Sequence, residues 1–277
     1  MRKYINRNIA IIALGAVLLT IGGIQEASAA RRGLFVGDQY WNPTAEMQRR
    51  CRDSKMTSIF LFTLQVNADG ALRFNDHVIV SGAGTWVGGS WGSLVAGCRG
   101  NYVNRIELAL GNWGTQSFNN IRNLVNAGSP ALRRNFTTLR NNVNLDAIQM
   151  DDETTYDRHS MVALCQMLVQ VGFPKVTLCP YTNQSFWAGV KSDLGSNVGA
   201  VYLQCYDGGA GNSATSWRSA LGNTSVLYPG EWIFSGGSTV TSRMTTWRTQ
   251  GFPGGFIWGN NQLPDSNWGQ WLIDAGF

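Results

Sequence analysis

The sequence predicts an α/β protein: a (β/α)8 TIM barrel with a long excursion after the second strand. Three observations lead there. The chain past residue 30 is about 247 residues long, the usual length of such a barrel. Eight short apolar runs recur along it, each nearly continuous in Ile, Val, Leu and Phe, as parallel strands covered on both faces require. Helix-like stretches separate many of the runs, the alternation that winds a parallel sheet.

The runs lie at residues 34–37, 58–63, 105–110, 146–151, 175–179, 200–205, 231–234 and 254–258. Between the second and third, residues 66–104 are long, Gly-rich and aromatic. A hairpin is expected around Asp69-Gly70, and a short helix before Cys98. Ser129-Pro130 reads as the N-cap and first turn of a helix through Arg140. Residues 158–171 form the clearest helix. Met161, Leu164, Cys165, Leu168 and Val171 share one stripe, and Gly172 and Pro174 stop it. Residues 267–275 read as the closing helix. No linker or internal repeat divides residues 31–277, so they are taken as one domain.

The first thirty residues stand apart. Arg2, Lys3 and Arg7 give a positive start, and residues 9–19 are almost unbroken in apolar character. Ala27-Ser28-Ala29 or Ser28-Ala29-Ala30 offers a small-residue cleavage site. This is the pattern of a secretory signal peptide. The apolar run is shorter than the roughly 20 residues of a bilayer span. The mature chain is therefore expected to be secreted, extracellular or periplasmic, off the membrane, and monomeric.

Composition narrows the function. Charged residues are 14% of the chain and hydrophobic ones 44%, which excludes a disordered chain of low hydrophobicity and high charge. The net charge of +5 falls to +3 once Arg2, Lys3, Arg7 and Glu26 are removed. That mild, scattered excess argues against a nucleic-acid partner, and Arg49-Arg50-Cys51-Arg52 reads as a solvated helix face. Five cysteines are an odd number. Cys165, Cys179 and Cys205 sit in apolar runs where thiols pack as small hydrophobes, while Cys51 and Cys98 are a candidate bridge. No CxxC or Cys/His spacing suggests zinc. His77 and His159 stand far from any nucleophile motif, which leaves a hydrolase triad poorly supported.

The chemistry concentrates in Asp146-Ala147-Ile148-Gln149-Met150-Asp151-Asp152-Glu153. Strand side chains alternate, so Gln149, Asp151 and Glu153 share one face and Ile148 and Met150 the other. A buried strand has no structural need for Gln, Asp and Glu on one face, because unpaired buried charge is costly. At the C-terminal end of a barrel strand such groups stand where barrel enzymes place their catalytic residues.

The octet resembles the strand-four signature of glycoside hydrolase family 18, the chitinases and endo-β-N-acetylglucosaminidases, which reads Asp-Gly-x-Asp-x-Asp-x-Glu. Asp146, Asp151 and Glu153 match in register. Three further segments follow the family's order. Ala109-Leu110-Gly111-Asn112 resembles a degraded Ser-x-Gly-Gly, Gln204-Cys205-Tyr206-Asp207 the strand-six motif, and Gly255-Phe256-Ile257-Trp258 the strand-eight segment ending in tryptophan.

The resemblance implies a retaining, substrate-assisted hydrolysis of β-1,4 bonds next to N-acetylglucosamine, without a cofactor or metal. Glu153 would be the general acid and base. Asp151 and Tyr206 would hold the 2-acetamido group, with Gln149 in support. Asp207 and Trp258 would line the cleft, and Trp41, Trp113 and Trp187 are further candidate sugar platforms. Two departures stand out. Gln149 replaces an aspartate that can share a proton with its neighbour, and Asp152 stands where the family usually has an aromatic or aliphatic residue. Gln149 and the degraded strand-three motif favour a second reading, a catalytically weak or inactive glycan-binding protein. A divalent-metal site at Asp151-Asp152-Glu153 and an acidic helix cap are the remaining alternatives.

Overall fold

The computed structural model describes residues 30–111, 114–260 and 262–277. The expected signal peptide up to residue 29, Asn112 and the candidate platform Trp113 lie outside them. β1 (Arg31–Val36) and β2 (Ser58–Val66) pair in parallel. β2 runs on beyond the wall, and its end pairs antiparallel with β3 (Leu72–Phe74), which pairs with β4 (His77–Val80). β5 (Arg105–Leu110), β6 (Ala147–Met150), β7 (Lys175–Leu178), β8 (Val198–Gln204), β9 (Leu227–Trp232) and β10 (Gly254–Trp258) continue the parallel order, and β10 pairs with β1. Eight parallel strands thus close a barrel, with the β3–β4 hairpin appended to one strand.

Helices fill the crossovers: α1 (Ala45–Asp53), α2 (Trp91–Ala96), α3 (Ser117–Asn126), α4 (Ala131–Asn142), α5 (Arg158–Gln170), α6 (Gln184–Leu194), α7 (Ala214–Ala220), α8 (Gly237–Thr249) and α9 (Ser266–Asp274). The excursion forms as expected, with a turn closed by Gly70 N–H donating to Asn67 O and with α2 just before Cys98. α5 begins where Asp157 accepts from Ser160 N and from Ser160 Oγ. It buries Met161, Leu164, Cys165 and Leu168 against the barrel, each Leu contributing about 1.5–3 kcal/mol.

Alternation along the strands builds two cores. Outward residues such as Ile59, Leu108, Ile148, Met150, Val176 and Leu203 pack under the helices. Phe35, Phe60, Ala109, Tyr202, Tyr228 and Phe256 form a separate aromatic cluster inside the barrel. At its N-terminal end the wholly buried Glu107 accepts from Thr177 Oγ1 and from the Tyr202 hydroxyl, each at 2.6 Å, and pairs with Arg105. Arg31 Nη1 donates to the same Tyr202 oxygen at 2.8 Å.

Three expectations need correction. Of the run at 231–234, only Glu231 and Trp232 are strand, the end of one that starts at Leu227 and takes in Pro229-Gly230; Ile233 and Phe234 leave it in a single 3-10 turn. Pro229 stands opposite Leu203, and a Cβ on Gly230 would lie 2.1 Å from Phe256 Cζ. Glycine is therefore required there by an aromatic ring in the barrel interior. In α4, Pro130 occupies the cap position itself, and Ser129 Oγ reaches only Ala131 N. The five cysteines are buried free thiols. Cys51 and Cys98 are unbridged, and the Cys51 thiol donates to the Tyr40 hydroxyl.

Candidate functional site

A cavity of about 290 Å³ opens at the C-terminal mouth of the barrel. Phe35, Phe62 and Trp258 form its aromatic wall. Asp151, Glu153, Gln204, Tyr206 and Asp207 supply polar groups, and Cys179 completes the lining. Phe35 lies one residue before the end of β1 and Phe62 within β2, opposite Ala109 near the end of β5; the others lie at or just past the C-terminal end of a barrel strand, the position from which side chains reach the mouth.

β6 ends at Met150, yet Asp151 N still donates to Leu110 O at 2.9 Å, which keeps the strand alternation for one more residue. That bond aims the Asp151 side chain into the barrel. Gly111 runs alongside with a φ of +87°, and a Cβ there would lie 2.4 Å from Phe118 and 2.8 Å from the Asp151 carbonyl oxygen. Only glycine lets β5 turn away here without displacing Asp151. The Tyr206 ring stacks at 6.2 Å on Trp232 and meets Phe256 edge-on. Trp258, the last residue of β10, contacts Phe62 edge-to-face at 4.7 Å and Phe35 at 5.3 Å.

The two carboxyls are joined through one amide. Gln204 Nε2 donates to Asp151 Oδ1 at 3.2 Å and to Glu153 Oε1 at 3.4 Å. Asp151 is 3% exposed. Burial, and then the neighbouring charges of Glu153 and Asp152, push its carboxyl well above the usual carboxylate range. Burial, with Cys179 and Asp151 nearby, likewise raises the Tyr206 hydroxyl, which stays protonated as a donor. The site therefore sets mutually repelling acids under a protonated phenol and an apolar ring. Two such carboxyls do not both ionise cheaply, which separates an acid from a charge-stabilising base.

The structure brings Asp151, Glu153, Tyr206, Asp207 and Trp258 together around one cavity. Gln149 lies deeper, fully buried, and among the described residues neither its amide nitrogen nor its amide oxygen has a hydrogen-bond partner. Trp41 lies apart from the cavity, stacked on His77 at 4.2 Å in a groove with Val87 and Trp91. Trp187 is buried in the helix-facing core. Asp152 turns away from the mouth: its carboxylate accepts from the backbone N–H groups of Thr154, Thr155 and Tyr156. The three successive carboxyls do not converge, and among the described residues no three His, Cys, Asp or Glu side chains are grouped to hold a metal ion.

Sequence reasoning names Gln204 only as part of a motif and misses Phe35, Phe62 and Cys179 as lining residues. Carrying the inward parity of each strand to its last residue would have found Gln204, two positions before Tyr206.

A closed barrel whose C-terminal mouth carries two bridged carboxyls and an aromatic wall is the class that fold and site define. No family model matches the chain, and no curated protein matches it in sequence. Solved structures do. A family 18 chitinase from Cycas revoluta, solved in complex with allosamidin, superposes with a TM-score of 0.68 at 12% identity, over 90% of this chain and 100% of that one. A chitinase from Rhizomucor miehei gives a TM-score of 0.64 at 14% identity, over 88% and 99%. A chitinase-like agglutinin from Robinia pseudoacacia gives 0.60 at 12% identity, over 88% and 98%. The chain is thus similar to family 18 proteins over nearly its whole described length, and the likeness is one of fold.

Proposed function

We propose that this protein is a secreted glycosidase that cleaves β-1,4 linkages next to N-acetylglucosamine with retention and substrate assistance. The observation that carries the reading is the convergence of Asp151, Glu153, Tyr206 and Trp258 on one cavity. These are the four positions that the resemblance to family 18 assigns to the reaction. Trp258 and Phe62 give the reacting sugar an apolar face to rest on. Tyr206 donates to the 2-acetamido oxygen, and Asp151 accepts from the acetamido N–H. So aligned, the acetamido oxygen attacks the anomeric carbon while Glu153 protonates the leaving glycosidic oxygen. Water then opens the cyclic intermediate as Glu153 takes the proton back. A positioned acid–base group of this kind contributes about 10²–10⁴-fold in rate. Residues 1–30 would direct export.

The test is incubation of the mature protein with chitin oligosaccharides, a high-mannose glycopeptide and peptidoglycan fragments, read by mass spectrometry, with Glu153→Gln as control. Cleavage in the wild type that falls about 10²–10⁴-fold in the variant supports the enzyme. Equal product from both proteins sinks it.

One observation favours a second reading. The amide of Gln149, standing where the family's aspartate would be, is buried with no partner among the described residues, and an amide cannot share a titrating proton as that aspartate can. An agglutinin is also among the proteins of this fold. Binding of the same glycans with no product in either protein would establish a lectin-like role.

A further inference from the structure

We propose that Asp152 is a positioning residue that holds Glu153 at the mouth of the cavity by organising the backbone on its C-terminal side. The inference rests on the reading of Glu153 as the proton donor.

Asp152 is a charged residue 2% exposed, and none of the ion pairs among the described residues involves it. Its partners are three consecutive backbone donors. Oδ1 accepts from Thr154 N at 3.1 Å and Thr155 N at 2.8 Å, and Oδ2 accepts from Tyr156 N at 2.7 Å. Bonds from N–H groups to a carboxylate are about twice as strong as neutral ones, and three on one side chain fix the path of the chain it sits in. Glu153 lies between the acceptor and the first donor, so its own backbone is enclosed by the ring these bonds close.

The surroundings show why this residue is needed. The segment from Asp151 to Asp157 has no regular structure. Before it, Asp151 N is tied to Leu110 O. After it, Tyr156 adopts a left-handed φ of +48° and packs edge-on against Phe186 of α6 at 5.3 Å. Between those anchors, Asp152 makes the bonds that hold residues 154–156. An apolar side chain at 152 would leave three donors to find other acceptors and would free the peptide that carries Glu153. A reacting group displaced by about 1 Å can lose about 10²-fold in rate.

The test compares wild type, Asp152→Asn and Asp152→Ala on a chitin oligosaccharide, with folding checked by circular dichroism. Asp152→Ala should lower kcat about 10²-fold and move KM less than about threefold, the split expected when an interaction acts on the transition state alone. Asp152→Asn keeps an oxygen for Thr154 and Thr155 and loses the acceptor for Tyr156, so it should fall between. In both variants, amide exchange at residues 154–156 should speed up while the barrel strands stay protected. An unchanged kcat in folded Asp152→Ala overturns the proposal, as does a loss confined to KM. If the wild type binds the oligosaccharide without cutting it, the enzymatic reading fails on its own. The carboxyl carbon titration of Glu153 by NMR then decides. A curve that in Asp152→Ala departs from that of Asp152→Asn, which removes the same charge, sustains the positioning role, and superimposable curves in the two variants overturn it.

Discussion

The side-chain amide of Gln204 lies 3.2 Å from the buried carboxyl of Asp151, and its two N–H groups leave it able to serve Glu153 at the same time. A neutral donor thus links two acids that would otherwise only repel. The bridge controls which protonation states the mouth can hold.

Removing the bridge should move the pH profile. An N–H that donates to a carboxylate favours its ionised form, so losing it raises the apparent pKa values of the pair. Gln204→Leu should shift both limbs of the bell-shaped kcat/KM profile to higher pH, because each proton is held more tightly. Initial rates on a chitin oligosaccharide across pH 4–9 measure this. A profile that keeps its limbs, or moves to lower pH, contradicts the bridge.

Asp151 should cost stability at neutral pH. Its folded-state pKa is raised, chiefly by burial. The native state therefore binds the proton more tightly than the unfolded chain does. Stability then falls as pH rises through the window between the two pKa values. Asp151→Asn abolishes that slope. The variant should melt at a higher temperature than wild type at pH 7, equal it more closely in acid, and cut glycan poorly. Thermal melts across pH decide, and equal melting differences at pH 4 and pH 7 would refute the linkage.

Glu107 anchors the opposite end of the barrel from the cavity. It is fully buried and serves Thr177, Tyr202 and Arg105 together. Glu107→Ala strands their donors and breaks a largely buried ion pair, at a cost of about 3–5 kcal/mol. Urea denaturation should show the midpoint falling with little change in slope, and the glycan affinity of the folded fraction unchanged.

Gly230→Ala tests the link between the barrel core and the cavity. The added methyl would meet the Phe256 ring at 2.1 Å, and Phe256 in turn touches Tyr206. Overpacking of this kind costs about 1–3 kcal/mol. The ring can relieve it by pressing on Tyr206, so glycan affinity should drop along with the melting temperature. Isothermal titration beside a thermal melt reads both, and a loss of stability with full affinity would show that Phe256 moves the other way.

The strand runs at 58–63, 105–110, 175–179 and 254–258 were legible because a strand buried on both faces leaves an unbroken apolar signature, and period-two alternation then separates Ile148 and Met150 from Asp151 and Glu153. The three motifs that line the mouth, with Asp151 and Glu153, Gln204 to Asp207, and Trp258, were legible for the same reason. They close strands whose C-terminal ends share one face of a parallel barrel. The strand over Leu227–Trp232 was not, because Pro229-Gly230 imitates a turn, and only the Phe256 ring arriving from the neighbouring strand explains the glycine. Gln204 as a bridge and Trp41 paired with His77 outside the cavity depend on where neighbouring elements place amides and rings, and Asp152 turned back onto its own loop depends on how that loop is anchored at both ends. One-dimensional order fixes the periodicity and the residue types. Partners such as Gln204 and Asp151, 53 residues apart, are chosen by barrel closure, which the local pattern requires but does not encode residue by residue.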